Sequence, residues 1–257
     1  MTKRILDIVD MQNDFMDPKG ALYVPGAEKI IQPAEQFLAK VKQGDFDLAL
    51  VKFDTHFDES YAHNPESEQF PPHCIFETWG WNMAVTLPSD LGQKTDVYTM
   101  TKNVFNMWAE KPDLEGKNFT LKHVKNAYQK LFNIESDKQE KSPRNQFMDA
   151  FNIGKDTEVV MMGVASDYCV HDAMLGYLQR GASVVVLEDL VKGIGTDVPG
   201  RSKTGDIHDV VLLDVFKPYL DSGQLKVLTS QQVMQNIRQE KKRESGNTGP
   251  KNFHRPT

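Results

Sequence analysis

The sequence predicts an α/β fold in which a parallel sheet is covered by helices on both faces. Short apolar runs rich in β-branched residues alternate along the chain with helix-like stretches that close near a glycine. Parallel strands need crossover connections, and helices of this kind supply them. The runs are continuously apolar, as is typical of strands buried on both faces. In such sheets ligands bind beyond the carboxyl ends of the strands, so functional residues are expected there.

Six runs are predicted to be strands, in the order 5–10 (ILDIVD), 47–53 (DLALVKF), 96–100 (DVYTM), 158–164 (EVVMMGV), 182–189 (ASVVVLED) and 225–228 (LKVL). Helices are predicted over 27–44 and 168–181, because each stretch ends in the glycine that commonly terminates a helix. Residues 54–82 form a long loop rich in histidine, proline and acidic residues. Loops of this length inside compact domains are usually functional.

Length and composition favour one large domain with an insertion and a tail. The 257 residues, 39% of them apolar, can bury a substantial core. We expect a catalytic domain over 1–235, a helical lobe inserted over 103–150 with a helix at 121–132, and a basic tail over 236–257 that begins as a helix end and runs into a mobile terminus. The tail carries a charge of +4, which leaves −10 on the rest of the chain. That acidity argues against a nucleic-acid partner for the main body.

The chain lacks the marks of a membrane or secreted protein. No stretch approaches the roughly 20 apolar residues of a membrane span, and the N-terminus has no signal-peptide pattern. Its two cysteines can form at most one bridge, which excludes a disulfide scaffold. We therefore expect a cytoplasmic protein without a membrane partner.

Three predicted strands are followed by residues that suit nucleophilic catalysis. Asp10 ends the first strand, Lys102 follows the third, and Cys169 opens the helix after the fourth. A cysteine in a first helical turn lies at the positive end of the helix dipole, and this end and a nearby lysine are both expected to lower its pKa. Asp10 can accept the thiol proton and later deliver it to a leaving amine. A small buried cysteine is the alternative for Cys169, and Cys74 fits that description.

The loop after the second strand concentrates side chains that bind metals. Asp54 and His56 are two residues apart at an extended strand exit, so they point to the same side. His73, which follows two prolines, supplies a third ligand, and Glu66, His63 or water completes the set. These ligands suit Zn²⁺ first, with Fe²⁺ or Mn²⁺ as alternatives. Histidines scattered in a polar loop are the competing interpretation.

Five motifs together resemble the nicotinamidase/pyrazinamidase branch of the isochorismatase-like cysteine hydrolases. They are DMQNDF, DTH, PPHC, the lysine after the third strand and GVASDYCV, and they span residues 5–192. The resemblance implies a three-layer αβα fold with a doubly wound, six-stranded parallel sheet. It also implies a catalytic triad of Asp10, Lys102 and Cys169. A cis peptide before Ala165 is implied too, with the backbone N–H groups of Ala165 and Cys169 forming an oxyanion hole.

The same resemblance implies an activity and a substrate pocket. The reaction is metal-dependent hydrolysis of nicotinamide to nicotinate and ammonia through a thioester on Cys169, a step of NAD salvage. The metal would bind the pyridine nitrogen while Phe15 and Phe70 sandwich the ring. Phe70 stands where the family usually has tryptophan, and Glu77-Thr78 stands where the family has Gly-Thr.

Two other functions compete with nicotinamide hydrolysis. One is a cysteine amidohydrolase of the same superfamily that acts on another small amide or on a ureido or carbamoyl compound, which the unusual 103–150 region motivates. The other is a non-catalytic binding homologue. The oligomeric state, including a homo-oligomer, is left open by the sequence.

Overall fold

A parallel sheet runs through the centre of the structure, a computed structural model that describes residues 2–108, 130–133 and 143–246. Its strands are β1 (Lys3–Val9), β2 (Leu48–Asp54), β3 (Asp96–Lys102), β4 (Lys130–Asn133), β5 (Thr157–Val164), β6 (Ser183–Lys192) and β7 (Leu225–Leu228). They lie in the order β4-β3-β2-β1-β5-β6-β7, and every neighbouring pair is parallel. The predicted fold class is confirmed.

All six predicted strands are present, and the described residues contain a seventh. This extra strand, β4, pairs with the outer edge of β3 and belongs to the region that we expected to be a helical lobe. The helix predicted over 121–132 is therefore wrong at residues 130–132, which belong to the strand Lys-Leu-Phe-Asn and pair with the outer edge of β3. The rest of that predicted helix lies outside the described residues.

Helices flank the sheet on both faces. They are α1 (Asn13–Met16), α2 (Glu28–Ala39), α3 (Asp58–Tyr61), α4 (Leu91–Lys94), α5 (Pro143–Ala150), α6 (Cys169–Gln179), α7 (Ile207–Val210), α8 (Lys217–Asp221) and α9 (Ser230–Gly246), with a 3₁₀ helix at Pro65–Glu68. The chain runs outward in one direction from β1 to β4 and in the other from β5 to β7. Because crossovers are right-handed, the connections of the two halves lie on opposite faces, which is the doubly wound arrangement.

The strand order reverses between β1 and β5, and in open sheets of this kind ligands bind at such a reversal, beyond the carboxyl ends of the strands. The two strands are paired there, with Val9 opposite Gly163. Gly163 has a φ of +124°, and a Cβ on it would come within 1.9 Å of the Val9 carbonyl oxygen. Only glycine fits at this point, just before the loop that carries Cys169.

The C-terminal helix α9 runs through the boundary that we expected at residue 235. Ile237 is buried in the core, and Nζ of Lys241 lies 2.5 Å from a carboxylate oxygen of Asp45. Glu240 pairs with Arg4 at 2.6 Å. The first part of the predicted tail is therefore a helix packed on the domain, and residues 247–257 lie outside the described residues. Within the described ranges, no helix has the length and apolar character needed to cross a membrane.

Candidate active site and metal centre

The strand ends bring Asp10, Lys102 and Cys169 together in a buried cluster. Nζ of Lys102 lies 2.8 Å from Oδ2 of Asp10 and 3.4 Å from Sγ of Cys169. All three side chains are almost completely buried. Asp10 follows β1 with a φ of +49°, a left-handed conformation that aspartate tolerates better than most residues and that often marks a functional site. The structure thus places the three predicted catalytic residues within contact of one another.

Charge and burial set the protonation of this cluster. Burial raises the pKa of the Cys169 thiol well above its usual range, Lys102 opposes this only in part, and the neighbouring carboxylates raise it further. The predicted lowering of this pKa is therefore wrong, because the loss of water and three nearby carboxylates outweigh the helix terminus and the lysine. Burial likewise raises the pKa of Asp10, despite Lys102. The raised pKa favours the protonated thiol, and Nζ of Lys102 contacts both this thiol and the Asp10 carboxylate.

The turn between β5 and α6 offers two unpaired backbone N–H groups. The Val164–Ala165 peptide bond is cis, as the resemblance implies. The Ala165 carbonyl accepts from the N–H groups of Tyr168 and Val170, which closes the turn. Among the described residues, no acceptor is hydrogen-bonded to the N–H of Ala165 or Cys169. These two groups are therefore free to bind a developing oxyanion.

The predicted metal ligands also converge. Ligand atoms of Asp54, His56, Glu66 and His73 all lie within 4.8 Å of one another, and all four residues are buried. Between Glu66 and His63, the two fourth-ligand candidates on the protein, the structure brings Glu66 to the cluster and leaves His63 exposed. The 3₁₀ helix explains the choice, because it turns Glu66 inward while the Asn64 side chain accepts from the Glu66 N–H at 2.9 Å.

The spacing of these ligand atoms suits a tetrahedral metal. Oδ2 of Asp54 lies 3.3 Å from Nε2 of His56 and 3.2 Å from Nε2 of His73. Oε2 of Glu66 lies 3.4 Å from each imidazole nitrogen, and neither Glu66 oxygen has a hydrogen-bond partner. Ligands about 2.0–2.1 Å from a tetrahedral Zn²⁺ are about 3.3–3.4 Å apart. The two imidazoles and two carboxylates, with both Glu66 oxygens buried and lacking a hydrogen-bond partner, therefore fit a zinc-type ion.

The pKa values of the predicted ligands reflect their burial and the charged groups packed around them. Burial alone would lower the pKa of both histidines, but Asp54 and Glu66 raise it, that of His73 to about 10. Burial would raise the pKa of Asp54, yet Lys102 and His56 hold it well below its usual range. Because a metal binds the neutral form of imidazole, binding of an ion at this cluster would release any proton that the two histidines carry.

Lys102 joins the two clusters. Its Nζ lies 3.2 Å from Oδ1 of Asp54, on the opposite side of that carboxylate from the histidines. Burial would lower the pKa of Lys102, but Asp10 and Asp54 raise it well above its usual range. A permanently charged lysine thus links the nucleophile to the ligand cluster through one carboxylate.

Two residues of the DMQNDF motif, Gln12 and Asp14, hydrogen-bond to the segments that carry Asp54 and His73, and neither was predicted to have a role. The Gln12 side chain donates to the Asp54 carbonyl at 2.8 Å and accepts from the Asp54 N–H at 2.7 Å. The Asp14 carboxylate accepts from the N–H of Cys74, next to His73, at 2.7 Å. Their place in the DMQNDF motif is the sequence signal that could have identified them. In the structure both polar side chains are buried and hydrogen-bonded. Cys74 itself is buried, and burial raises its pKa well above the usual range.

Aromatic rings lie beside the ligand cluster and beside Tyr168, the residue that precedes Cys169. The Phe15 ring lies 5.5 Å from the His73 ring. Phe70 packs edge-on against Phe105 and Tyr168, each at 5.4 Å between ring centres. Of the predicted ring-binding pair, Phe15 therefore lies beside a predicted metal ligand, and Phe70 packs on the residue that precedes Cys169. Phe105 and Tyr168 are additions that the sequence did not reveal, because they lie far from Phe70 along the chain.

The loop after His73 keeps an unusual backbone. Glu77, which stands where the resembled family has glycine, adopts a φ of +66°. This left-handed conformation is the one that glycine prefers. The departure from the family's motif therefore changes the residue without removing the turn.

Comparisons with known proteins agree with this picture. Residues 5–116 match the isochorismatase domain family. The chain is 25% identical over 239 residues to a nicotinamidase of Saccharomyces cerevisiae, covering 82% of this chain and 99% of that protein. It is also 25% identical over 198 residues to a nicotinamidase/pyrazinamidase of Mycobacterium tuberculosis, covering 76% and 89% of the two chains.

A solved structure is similar in fold. The pyrazinamidase of Pyrococcus horikoshii, crystallised in complex with zinc, superposes with a TM-score of 0.55 over 88% of this chain and 99% of that chain, at 24% identity. The expected resemblance to the nicotinamidase/pyrazinamidase branch of the isochorismatase-like hydrolases is thereby confirmed.

Proposed function

We propose that this isochorismatase-like protein is a metal-dependent cysteine amidase that hydrolyses nicotinamide to nicotinate and ammonia. The observation that carries the proposal is the position of Lys102, whose Nζ contacts Asp10, Asp54 and Cys169 at 2.8, 3.2 and 3.4 Å. Lys102 thus contacts both the proposed nucleophile, Cys169, and its base, Asp10, and reaches the four-ligand cluster through Asp54. The yeast and mycobacterial relatives, named for this reaction, support the choice of substrate.

The residues of the triad divide the chemistry between them. As Sγ of Cys169 attacks the carboxamide carbon, its proton passes to Asp10, whose raised pKa suits it as the acceptor. The N–H groups of Ala165 and Cys169 hold the oxyanion, and loss of one such donor typically costs about 10²–10³-fold in rate. Asp10 then delivers the proton to the departing ammonia, leaving a thioester. Water hydrolyses the thioester with Asp10 again as base, which releases nicotinate and restores the thiol.

Lys102 and the ligand cluster prepare the site for this sequence. Lys102 offsets the charge that Asp10 and Asp54 bring into the buried crevice. Asp54, His56, Glu66 and His73 would hold the divalent ion, with Zn²⁺ favoured. When bound there, the ion supplies a Lewis acid for a ring nitrogen.

The rings near the crevice suit a flat heteroaromatic substrate. Phe15, Phe70, Phe105 and Tyr168 provide apolar faces, and offset or edge-on contacts between aromatic rings are favourable. The reactive thiol fits a reducing, cytoplasmic setting in which Cys74 and Cys169 stay unpaired. The reaction would return nicotinamide to NAD salvage.

A substrate panel tests the proposal. Ammonia release is measured for nicotinamide, pyrazinamide, benzamide and an N-carbamoyl amino acid, with metal-stripped and zinc-restored protein. We expect zinc-dependent turnover of the two nitrogen heterocycles and much weaker turnover of benzamide, which lacks a ring nitrogen. Preferred hydrolysis of the carbamoyl compound would shift the assignment to another amidohydrolase of the superfamily. Turnover of nicotinamide that is insensitive to chelation would contradict the metal assignment.

A further inference from the structure

A loop that follows β6 packs directly on the turn that carries Cys169. We call residues 193–206 the strap and residues 165–169 the nucleophile turn. The Ser166 N–H donates to the Lys192 carbonyl at 2.8 Å, and the Ser166 hydroxyl donates to the Gly205 carbonyl. A Cβ on Gly193 would come within 2.2 Å of that hydroxyl oxygen, so the strap lies against the turn with no space between them.

Asp167 is turned toward the strap rather than toward its own helix. Its buried carboxylate accepts from the N–H of Ile194 at 3.1 Å and of Gly195 at 2.7 Å. An aspartate just before a helix commonly caps the first N–H groups of that helix. Here α6 has no side-chain cap. The Asp167 carboxylate is thus hydrogen-bonded to the strap and not to the start of α6.

Arg201, on the strap, contacts the nucleophile turn at two points and the first turn of α6 at a third. One guanidinium nitrogen donates to the Asp167 carbonyl at 2.6 Å. The other lies 3.1 Å from a carboxylate oxygen of Asp172, on the first turn of α6. The guanidinium also stacks 4.5 Å from the centre of the Tyr168 ring. These contacts flank Cys169 in sequence on both sides.

We propose that Arg201 is a positioning residue that holds the nucleophile turn so that the N–H groups of Ala165 and Cys169 face the reacting carbonyl. This inference rests on the proposed amidase function. Oxyanion contacts strengthen mainly in the transition state, so a displaced turn lowers kcat more than it raises KM. A misplacement of about 1 Å can cost about 10²-fold in rate.

The test compares Arg201→Met and Arg201→Lys with a matched change on the same strap. The control is Lys203→Met, because the Lys203 side chain is 81% exposed and its one ion pair within the described part of the chain is with the exposed Asp197, at 3.5 Å. Rates are normalised to the folded fraction from circular dichroism. We expect kcat for nicotinamide to fall about 10- to 100-fold in Arg201→Met with KM changed less than about threefold. Arg201→Lys keeps the charge but not the two-pronged contact, so its kcat should be intermediate.

A second measurement does not depend on the substrate. Hydrogen exchange of the amides at 165–172 is compared between the variants. We expect faster exchange in Arg201→Met at this segment alone, and none of this change in Lys203→Met. Near-wild-type kcat per folded molecule in Arg201→Met, or an equal loss in Lys203→Met, would overturn the inference. If the wild-type protein releases no ammonia from nicotinamide, the proposed function fails. The positioning role is then judged by hydrogen exchange alone, and unchanged exchange at residues 165–172 in Arg201→Met would overturn it.

Discussion

Replacement of Lys102 should lower both the folding free energy and the catalytic rate, and a matched variant tells the two effects apart. Lys102→Met leaves the carboxylates of Asp10 and Asp54, at 2.8 and 3.2 Å from the lost Nζ, buried without that cation. Breaking a buried ion pair on one side typically costs about 3–5 kcal/mol of folding free energy. The pKa of Asp10, which Lys102 lowers, rises further. More of the base is then protonated at neutral pH.

The chain offers a matched control in the same sheet. Lys52, on β2, pairs with Asp7 at 2.7 Å, and both side chains are as buried as those around Lys102. Lys52→Met should also cost about 3–5 kcal/mol. Lys52, however, contacts neither Cys169 nor any of the four predicted ligands, so its loss should leave catalysis by the folded molecules intact.

The assays are urea unfolding of the metal-stripped proteins and ammonia release from nicotinamide by the zinc-loaded proteins, corrected for the folded fraction. We expect similar losses of unfolding free energy in the two variants. The value of kcat/KM should fall by at least about 10³-fold in Lys102→Met, as is usual when one member of a catalytic unit is removed, and by less than threefold in Lys52→Met. More than a tenth of wild-type kcat/KM in Lys102→Met, or equal losses in both variants, would refute the role given to Lys102.

Three further predictions concern the other parts of the site. In metal-stripped protein the pKa of His73 is about 10, above its ordinary 6.5, so its stabilising effect is full below pH 6.5 and is lost as pH rises through about 10. Urea unfolding of the wild type and of His73→Asn should therefore show a difference in unfolding free energy that shrinks across this pH range. A difference that stays constant with pH would contradict the prediction. Cys169→Ala should abolish ammonia release without loss of folding while Cys74→Ser stays active, and turnover by Cys169→Ala would remove it as nucleophile. Phe70→Ala should raise KM for nicotinamide about 2- to 10-fold, since aromatic contacts contribute about 0.5–1.5 kcal/mol, and an unchanged KM would separate Phe70 from the substrate.

The sheet and the positions of the chemical groups could be predicted because they depend on local pattern. Continuous apolar runs marked six strands, and the residues that follow them had to meet at one edge of a parallel sheet. Asp10, Lys102 and Cys169 were therefore found without knowledge of any distance. The strand β4 escaped prediction because its pairing with β3 depends on an open sheet edge rather than on a strong run of its own.

The parts that could not be predicted depend on contacts between distant segments. Glu66 reaches the histidines because a 3₁₀ helix turns it inward, and the sequence, which favoured Glu66, still left His63 or water open as the fourth ligand. The pKa of Cys169 depends on total burial and on carboxylates from other strands, so the helix position alone suggested the wrong direction. Arg201 lies 32 residues beyond Cys169 in a loop without any recognised motif.

Trapping of the acyl intermediate tests the proposed chemistry most directly. Zinc-loaded protein turning over nicotinamide is quenched in acid within milliseconds, and its peptides are mapped by mass spectrometry. We predict a nicotinoyl group on the Sγ of Cys169, absent from Cys74 and absent when nicotinate replaces nicotinamide. Steady ammonia release with no acyl group on Cys169, or with the group on another residue, would contradict the assignment of Cys169 as the nucleophile.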